Sequence, residues 1–247
     1  MDQIKLYPRI NISVLGHKGM LGHMVYKVLM KNDDFKVSYV STKFKEWDKS
    51  MFRYTNFIIN CIGAIPQKTN KFDINWEVPI WLENNTNCKI IHPATDCEGG
   101  QDSYSISKRI ATDYINDYCE ETKIIKTSII GPELDSNYSL LEWFLSQKGE
   151  VEGYTKAIWN GVTSLEWAKQ CKIIIDNWDT TPKLTTLYSN NISKFKLLCI
   201  IQECYGKKDV VIMPRDLGSD RTLKGNIKIK DIKYQLEELI NYGKNGE

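Results

Sequence analysis

At 247 residues, 42% of them hydrophobic, the chain is long enough to bury a substantial core in one domain, or in one domain with a smaller lobe. Its 33 basic and 31 acidic residues leave a net charge of +2, which gives no general drive toward nucleic acid or an anionic membrane. The seven cysteines form no C-x-x-C pair and do not cluster with the three histidines, so they read as reduced thiols and no metal site is expected.

No apolar run approaches the ~20 residues of a membrane span, and Met1-Asp2-Gln3-Ile4-Lys5 lacks the apolar core of a signal peptide, so a cytoplasmic protein is expected. Residues Ile10 to Leu15 read as a strand that runs into Gly16-His17-Lys18-Gly19-Met20-Leu21-Gly22. The amphipathic pattern Met20, Met24, Val25, Val28, Leu29 then reads as a helix. Strand, glycine turn and helix in this order suit a dinucleotide. Gly16 allows a tight turn, Gly19 allows amides to approach a pyrophosphate, and Gly22 lets the helix pack close to the strand. The spacing is G-x-x-G-x-x-G rather than G-x-G-x-x-G. A second strand, Phe35 to Val40, ends at Ser41-Thr42-Lys43. Hydroxyls and a lysine there, in place of an acid, suit the extra phosphate of NADP(H), with NAD(H) as the alternative.

The run Thr55 to Ile62 reads as a strand buried on both faces, ending in Gly63-Ala64. Phe72 to Glu83 reads as a helix that Pro79 should bend or interrupt. A strand from Lys89 to His92 delivers Thr95 and Asp96 at its carboxyl end, the edge where open parallel sheets bind ligands. In the following helix, expected over 104 to 118, Tyr104 and Lys108 stand one turn apart on one face. A phenol beside an ammonium is an acid–base pair, and the cation should pull the phenol's pKa down from about 10. Tyr39 and Lys43 repeat the spacing, but Tyr39 lies in a strand.

Lys123 to Ile130 reads as one further strand closed by Gly131-Pro132. The β-α alternation up to that point is the pattern of a Rossmann-type, doubly wound α/β sheet. From Ser139 the texture changes. An apolar helix (Leu140 to Leu145) is followed by Ala157-Ile158-Trp159-Asn160-Gly161, a helix from Ser164 to about Asn177, a strand (Lys183 to Tyr188), a helix (Ser193 to Tyr205), a strand (Asp209 to Met213) and a helix (Asp231 to Asn241). Trp159 reads either as core or as a stacking surface for a base or sugar. Tyr242 to Glu247 read as a frayed polar end. Residues 1–247 are expected to form a single NAD(P)-binding domain, with a small C-terminal substrate lobe drawn mainly from about 135–165 and 180–230.

Taken together, these segments resemble the extended short-chain dehydrogenase/reductases, most closely the dTDP-4-dehydrorhamnose reductase family. The matches are Gly16, Gly19 and Gly22; Asn60-Cys61 to Ala64; Asn75-Trp76-Glu77-Val78-Pro79, the family's N-x-x-x-P helix; Thr95-Asp96; and Tyr104 with Lys108. The resemblance implies a cofactor site made by residues 16–22, by Ser41, Thr42 and Lys43, by Cys61, Ile62, Gly63 and Ala64, and by Tyr104 and Lys108. It implies that Tyr104 protonates a ketone oxygen while NADPH delivers hydride, that Lys108 holds the nicotinamide ribose, and that Thr95 hydrogen-bonds the same oxygen. Asp96, Trp159 and Asn160 would then meet a 4-keto-6-deoxy nucleotide sugar, with a homodimer or a partner epimerase as protein partner.

The chain departs from the family at Ala94, where Ser is usual, and in the loop after Thr95. Only eight residues, Asp96 to Ser103, separate Thr95 from Tyr104. Cys97 stands two residues after Thr95, as in relatives that epimerise as well as reduce; it reads either as a base for epimerisation or as a buried apolar thiol. A non-catalytic, nucleotide-binding regulatory subunit with the same fold is the remaining alternative.

Overall fold

The computed structural model describes residues 9–244; the reading of Met1 to Lys5 and that of residues 245–247 lie outside them. The first half alternates as expected: β1 (Ile10–Leu15), α1 (Met20–Met30), β2 (Phe35–Val40), β3 (Phe57–Asn60), α2 (Ile74–Asn85), β4 (Lys89–Ala94), α3 (Ser103–Tyr118) and β5 (Thr122–Lys126). The second half comprises β6 (Ile129–Ile130), α4 (Leu140–Ser146), β7 (Gly149–Tyr154), β8 (Ile158–Trp159), β9 (Val162–Thr163), α5 (Ser164–Asp176), β10 (Leu184–Tyr188), β11 (Ile192–Ser193), α6 (Lys194–Tyr205), β12 (Val210–Arg215), β13 (Ile227–Lys228) and α7 (Ile232–Lys244).

Seven strands form one sheet in the order β13-β10-β5-β4-β3-β1-β2, every pairing parallel. Parallel strands buried on both faces need apolar residues at successive positions, which β3, β4 and β5 supply. Ile59, Ile91 and Ile125 enter the cluster that α1 and α5 cover, while Ile58 and Ile90 meet Val78 and Leu82 of α2. Each fully buried Ile or Leu contributes about 1.5–3 kcal/mol. From β1 the chain moves outward to β2 and then returns to β3 on the other side. The switch point therefore lies between the carboxyl ends of β1 and β3, where such sheets bind ligands.

Several expectations change. The strand foreseen over 123–130 is two strands: after β5 the Thr127 amide still bonds Ala94, but the chain then leaves the sheet and β6 pairs with β9. Gly161 permits this, since a Cβ there would lie 2.1 Å from the Ser128 carbonyl oxygen. The Thr55–Ile62 run narrows to Phe57–Asn60 because Asn60 turns the chain by accepting from the Ile62 amide (3.1 Å). Helix α2 continues through the buried Pro79, held by Val78 and Leu82 in the core. Tyr242 to Lys244 are not frayed: α7 runs to Lys244, and the Lys31 ammonium sits 4.1 Å from the Tyr242 ring. Within 180–230, β10 and β13 belong to the main sheet, while β7 pairs with β12 and β8 with β11 outside it. Among the described residues no helix is long and apolar enough to cross a membrane.

Candidate active site

At the switch point Gly16 takes φ +71, and a Cβ on it would lie 2.8 Å from the Cys61 carbonyl oxygen at the end of β3. The Gly19 amide closes the turn on the Gly16 carbonyl (2.9 Å). A Cβ on Gly22 would approach that same carbonyl to 2.1 Å, so Gly22 is required by the turn itself rather than by helix–strand packing. Gly19 caps α1 without a side-chain hydrogen bond, no acid occupies the first turn, and the first helical bond is His23 to Gly19. The amides of Met20, Leu21 and Gly22 thus precede the helical ladder, an arrangement suited to an anion. A cradle that any side chain would fill, beside a helix N-terminus at the switch point, fits a dinucleotide.

His17 stacks on Tyr39 (3.9 Å between ring centroids), and Tyr26 meets Tyr39 edge-on (5.5 Å), so Tyr39 serves β2 and not a helical Tyr/Lys pair. Burial, with the Lys18 charge, lowers the His17 pKa. Ser41, Thr42 and Lys43 follow directly on β2, where the Trp47 indole donates to the Thr42 carbonyl (2.9 Å) and fixes the turn.

The wall across from this turn, Cys61 to Ala64, is held by Asn75 of α2. Its Oδ1 accepts from the Ala64 amide (2.7 Å), and its Nδ2 donates to the Ala64 carbonyl (3.1 Å) and the Ser107 hydroxyl (2.9 Å). One buried amide therefore ties the end of β3 to the helix that carries Tyr104 and Lys108. Replacing it leaves the Ser107 hydroxyl and the Ala64 backbone without these partners, so Asn75→Leu is expected to cost about 2 kcal/mol in a urea titration.

Thr95, Asp96 and Cys97 stand just past β4. The Thr95 hydroxyl donates to Asp96 Oδ1 (3.0 Å), accepts from the Cys97 amide (3.3 Å) and neighbours the Tyr104 phenol. Tyr104 is the second residue of α3, whose N-cap Asp102 accepts from the Ser105 amide (3.0 Å) and hydroxyl (2.6 Å). Its ring packs edge-on to Phe72 (5.7 Å).

The expected lowering of the Tyr104 pKa is not what the structure gives. Burial, reinforced by Cys97, Asp96 and Glu98, pushes it up to about 12, although Thr95 opposes the rise. Lys108 is enclosed, donates to the Pro93 carbonyl (3.1 Å), and is held down to about 8 by burial against the opposing pull of Glu98. At neutral pH the arrangement is a protonated phenol and a buried ammonium, able to give a proton to a developing alkoxide.

Two cations missed in the sequence reach this edge from the C-terminal part. Arg221 donates to Cys97 Sγ (3.3 Å), and Lys194, at the start of α6, lies over the Trp159 ring (5.3 Å) with Asp96 and Arg221 as its charged neighbours and the Cys97 thiol close by. Separated from Cys97 by 124 residues, Arg221 leaves no local signal. Burial and the Asp96 charge raise the Cys97 pKa, the wrong direction for a ready thiolate base.

Trp159 is buried in the core, which corrects the stacking-surface alternative, and Asn160 is spent on a backbone clamp. Its Nδ2 and Oδ1 pair with the Leu223 carbonyl and amide, each at 2.9 Å. The short loop is pinned by Arg109, which donates to the Glu98 (2.8 Å) and Gly100 (3.1 Å) carbonyls.

Fold and site together describe a Rossmann-type α/β protein with a Tyr/Lys pair at the carboxyl edge of its sheet. No family model matches the chain, and no curated protein matches it in sequence. Solved structures do. The chain is similar to a dTDP-4-dehydrorhamnose reductase of Clostridium acetobutylicum (16% identity, TM-score 0.72, 95% of this chain and 100% of that one). It is similar to the Bacillus anthracis dTDP-4-dehydrorhamnose reductase in complex with NADP (12%, TM-score 0.77, 94% and 99%). It also resembles a dTDP-glucose 4,6-dehydratase of Bacillus anthracis in complex with NAD (14%, TM-score 0.69, 96% and 97%). At these identities the likeness is one of fold, and it extends over nearly the whole of each chain.

Proposed function

We propose that the protein is an NADP(H)-dependent reductase of a 4-keto-6-deoxy nucleotide sugar. The observation that carries this reading is the Tyr104 phenol beside the Thr95 hydroxyl, one helical turn before the enclosed Lys108, at the sheet edge that also holds the glycine cradle. The structural neighbours named for dTDP-4-dehydrorhamnose reduction support the choice of ketone.

Bound in the cradle, the cofactor supplies hydride to the ketone carbon. Tyr104 gives its proton to the ketone oxygen, and Thr95 turns its hydroxyl from Asp96 to that oxygen, so both act where negative charge develops. Lys108 holds the ribose side of the cofactor and neutralises charge beside Tyr104. Ser41, Thr42 and Lys43 receive the 2′-phosphate, and Lys194 and Arg221 suit the diphosphate of the substrate. Epimerisation in addition has less behind it, since Cys97 is held as a thiol with Arg221 against it.

The test is NADPH oxidation with dTDP- and UDP-4-keto-6-deoxyglucose, with and without a 3,5-epimerase. Turnover of either is expected. Binding of NADPH in a direct titration without turnover of any of these substrates would favour the nucleotide-binding regulatory subunit instead.

A further inference from the structure

The short segment between Thr95 and Tyr104 carries a carboxylate that the Tyr/Lys pair leaves unexplained. Glu98 is only 5% exposed, yet donors from three elements converge on it. Its Oε1 accepts from the Thr95 amide at the end of β4 (3.3 Å) and from the Thr112 hydroxyl of α3 (2.7 Å). Its Oε2 accepts from the Lys126 ammonium of β5 (2.6 Å). Thr95-Asp96-Cys97-Glu98 is a reciprocal capping box, in which the threonine hydroxyl and the glutamate carboxylate satisfy each other's backbone amides.

The position matters more than the ion pair. A buried salt bridge is weak evidence of stability, because desolvating both charges can cancel their attraction. Along α3, however, Tyr104, Lys108 and Thr112 follow at four-residue spacing and so form one stripe of the helix. Glu98 is bonded to the last member of that stripe and to the backbone of Thr95.

We propose that Glu98 is a positioning residue of the reductase site: its buried carboxylate, bonded to the Thr95 amide and to the Thr112 hydroxyl one turn beyond Lys108, fixes Thr95 beside Tyr104 and sets a negative charge against the α3 stripe that carries Lys108. The inference rests on the reductase reading for its chemical purpose. The charged and titratable groups around the pair are Lys126 of β5, Arg109 and Tyr104 of α3, and His92 of β4. His92 is disfavoured as a cation by its burial and by Lys108. Glu98 alone among them favours the Lys108 cation, opposing the burial that lowers its pKa to about 8.

The two members of the ion pair therefore have opposite effects on Lys108. Glu98→Gln removes the favourable charge and should lower the Lys108 protonation constant about tenfold, one pH unit. Lys126→Met leaves Glu98 uncompensated and should raise it. A pair that is only structural would loosen the site and move Lys108 in the same direction in both variants.

The experiment is an NMR titration of 13C-lysine-labelled full chain, with the Lys108 signal assigned by its loss in Lys108→Arg, alongside the pH profile of NADPH oxidation. Opposite shifts in the two variants, with the alkaline limb of the profile moving down in Glu98→Gln, are expected. If Glu98→Gln does not fold, Glu98→Gln/Lys126→Met leaves no unpaired ammonium and should show a downward shift of Lys108 smaller than that of Glu98→Gln, because Glu98 also accepts from the Thr95 amide and the Thr112 hydroxyl on the Lys108 stripe of α3 and so stands nearer Lys108 than Lys126 does. An unchanged Lys108 titration, or shifts of the same sign in the two single variants, overturns the proposal. Because the titration needs no turnover, a failure of the reductase reading shows separately, as an absence of NADPH oxidation in wild type.

Discussion

Tyr104→Phe is expected to lower NADPH-dependent ketone reduction by about 10²–10⁴-fold, with a far smaller loss of NADPH affinity, since most of the expected cofactor contacts remain. The ring's contact with Phe72 survives the substitution, and the phenol oxygen alone is lost. Thr95 would still offer a hydrogen bond to the ketone oxygen, which is why a residual rate is expected rather than none. Since burial and the nearby Cys97, Asp96 and Glu98 push the Tyr104 pKa up to about 12, the phenol remains a proton source across the neutral range. The first ionisation to limit reduction on raising the pH should be that of Lys108, near pH 8. The kcat/KM profile of the wild type therefore falls above about pH 8. Equal turnover by wild type and Tyr104→Phe would remove Tyr104 from the role of acid.

What could be read in the sequence was local. The passage from Ile10–Leu15 through Gly16, Gly19 and Gly22 into the apolar pattern Met20 to Leu29 is a signal in which hydrophobic period, turn chemistry and helix start agree; the structure has the strand at Ile10–Leu15 and the helix at Met20–Met30. The strand from Lys89 and the helix of Tyr104 are also found, two residues longer at the strand's end and one residue earlier at the helix's start, and they put Thr95, Tyr104 and Lys108 at one edge. Strand period, in contrast, says nothing about which sheet a strand joins, so 123–130 reads as one strand although the Val162 amide holds the Ser128 carbonyl (2.9 Å), at a close approach that Gly161 permits, and splits it. Lys194, Arg221 and the Asn160–Leu223 clamp depend on contacts between distant segments, for which a single chain carries no local mark. Glu98 differs from these. Thr95-x-x-Glu98 is a capping-box pattern legible in the sequence, and it accounts for how so short a loop holds its shape. The Tyr104 pKa rises where the Tyr/Lys spacing alone predicts a fall, because spacing on a helix fixes neighbours while desolvation depends on what the rest of the fold places around them.

Lys108→Met is expected to abolish turnover and yet make the protein more stable at pH 7, by about 1–2 kcal/mol. Lys108 is held at about 8 in the folded chain against 10.5 for the free side chain. At pH 7 the ammonium is charged in both states, so the folded state bears the full penalty of enclosing it, at most about 3 kcal/mol. The bond to the Pro93 carbonyl, which methionine cannot make, returns about 1 kcal/mol. Between about pH 8 and 10.5 the unfolded wild type binds more protons than the folded form, so its stability rises with pH across that window. The methionine variant lacks this rise. Urea titrations at pH 7 and pH 10.5 should therefore show the variant ahead at pH 7 and the advantage gone at pH 10.5. A difference that does not change with pH would mean that Lys108 carries no burial penalty. The expected result makes the cost of the enclosed cation measurable: the fold carries it one helical turn from Tyr104 although burial there destabilises the folded state.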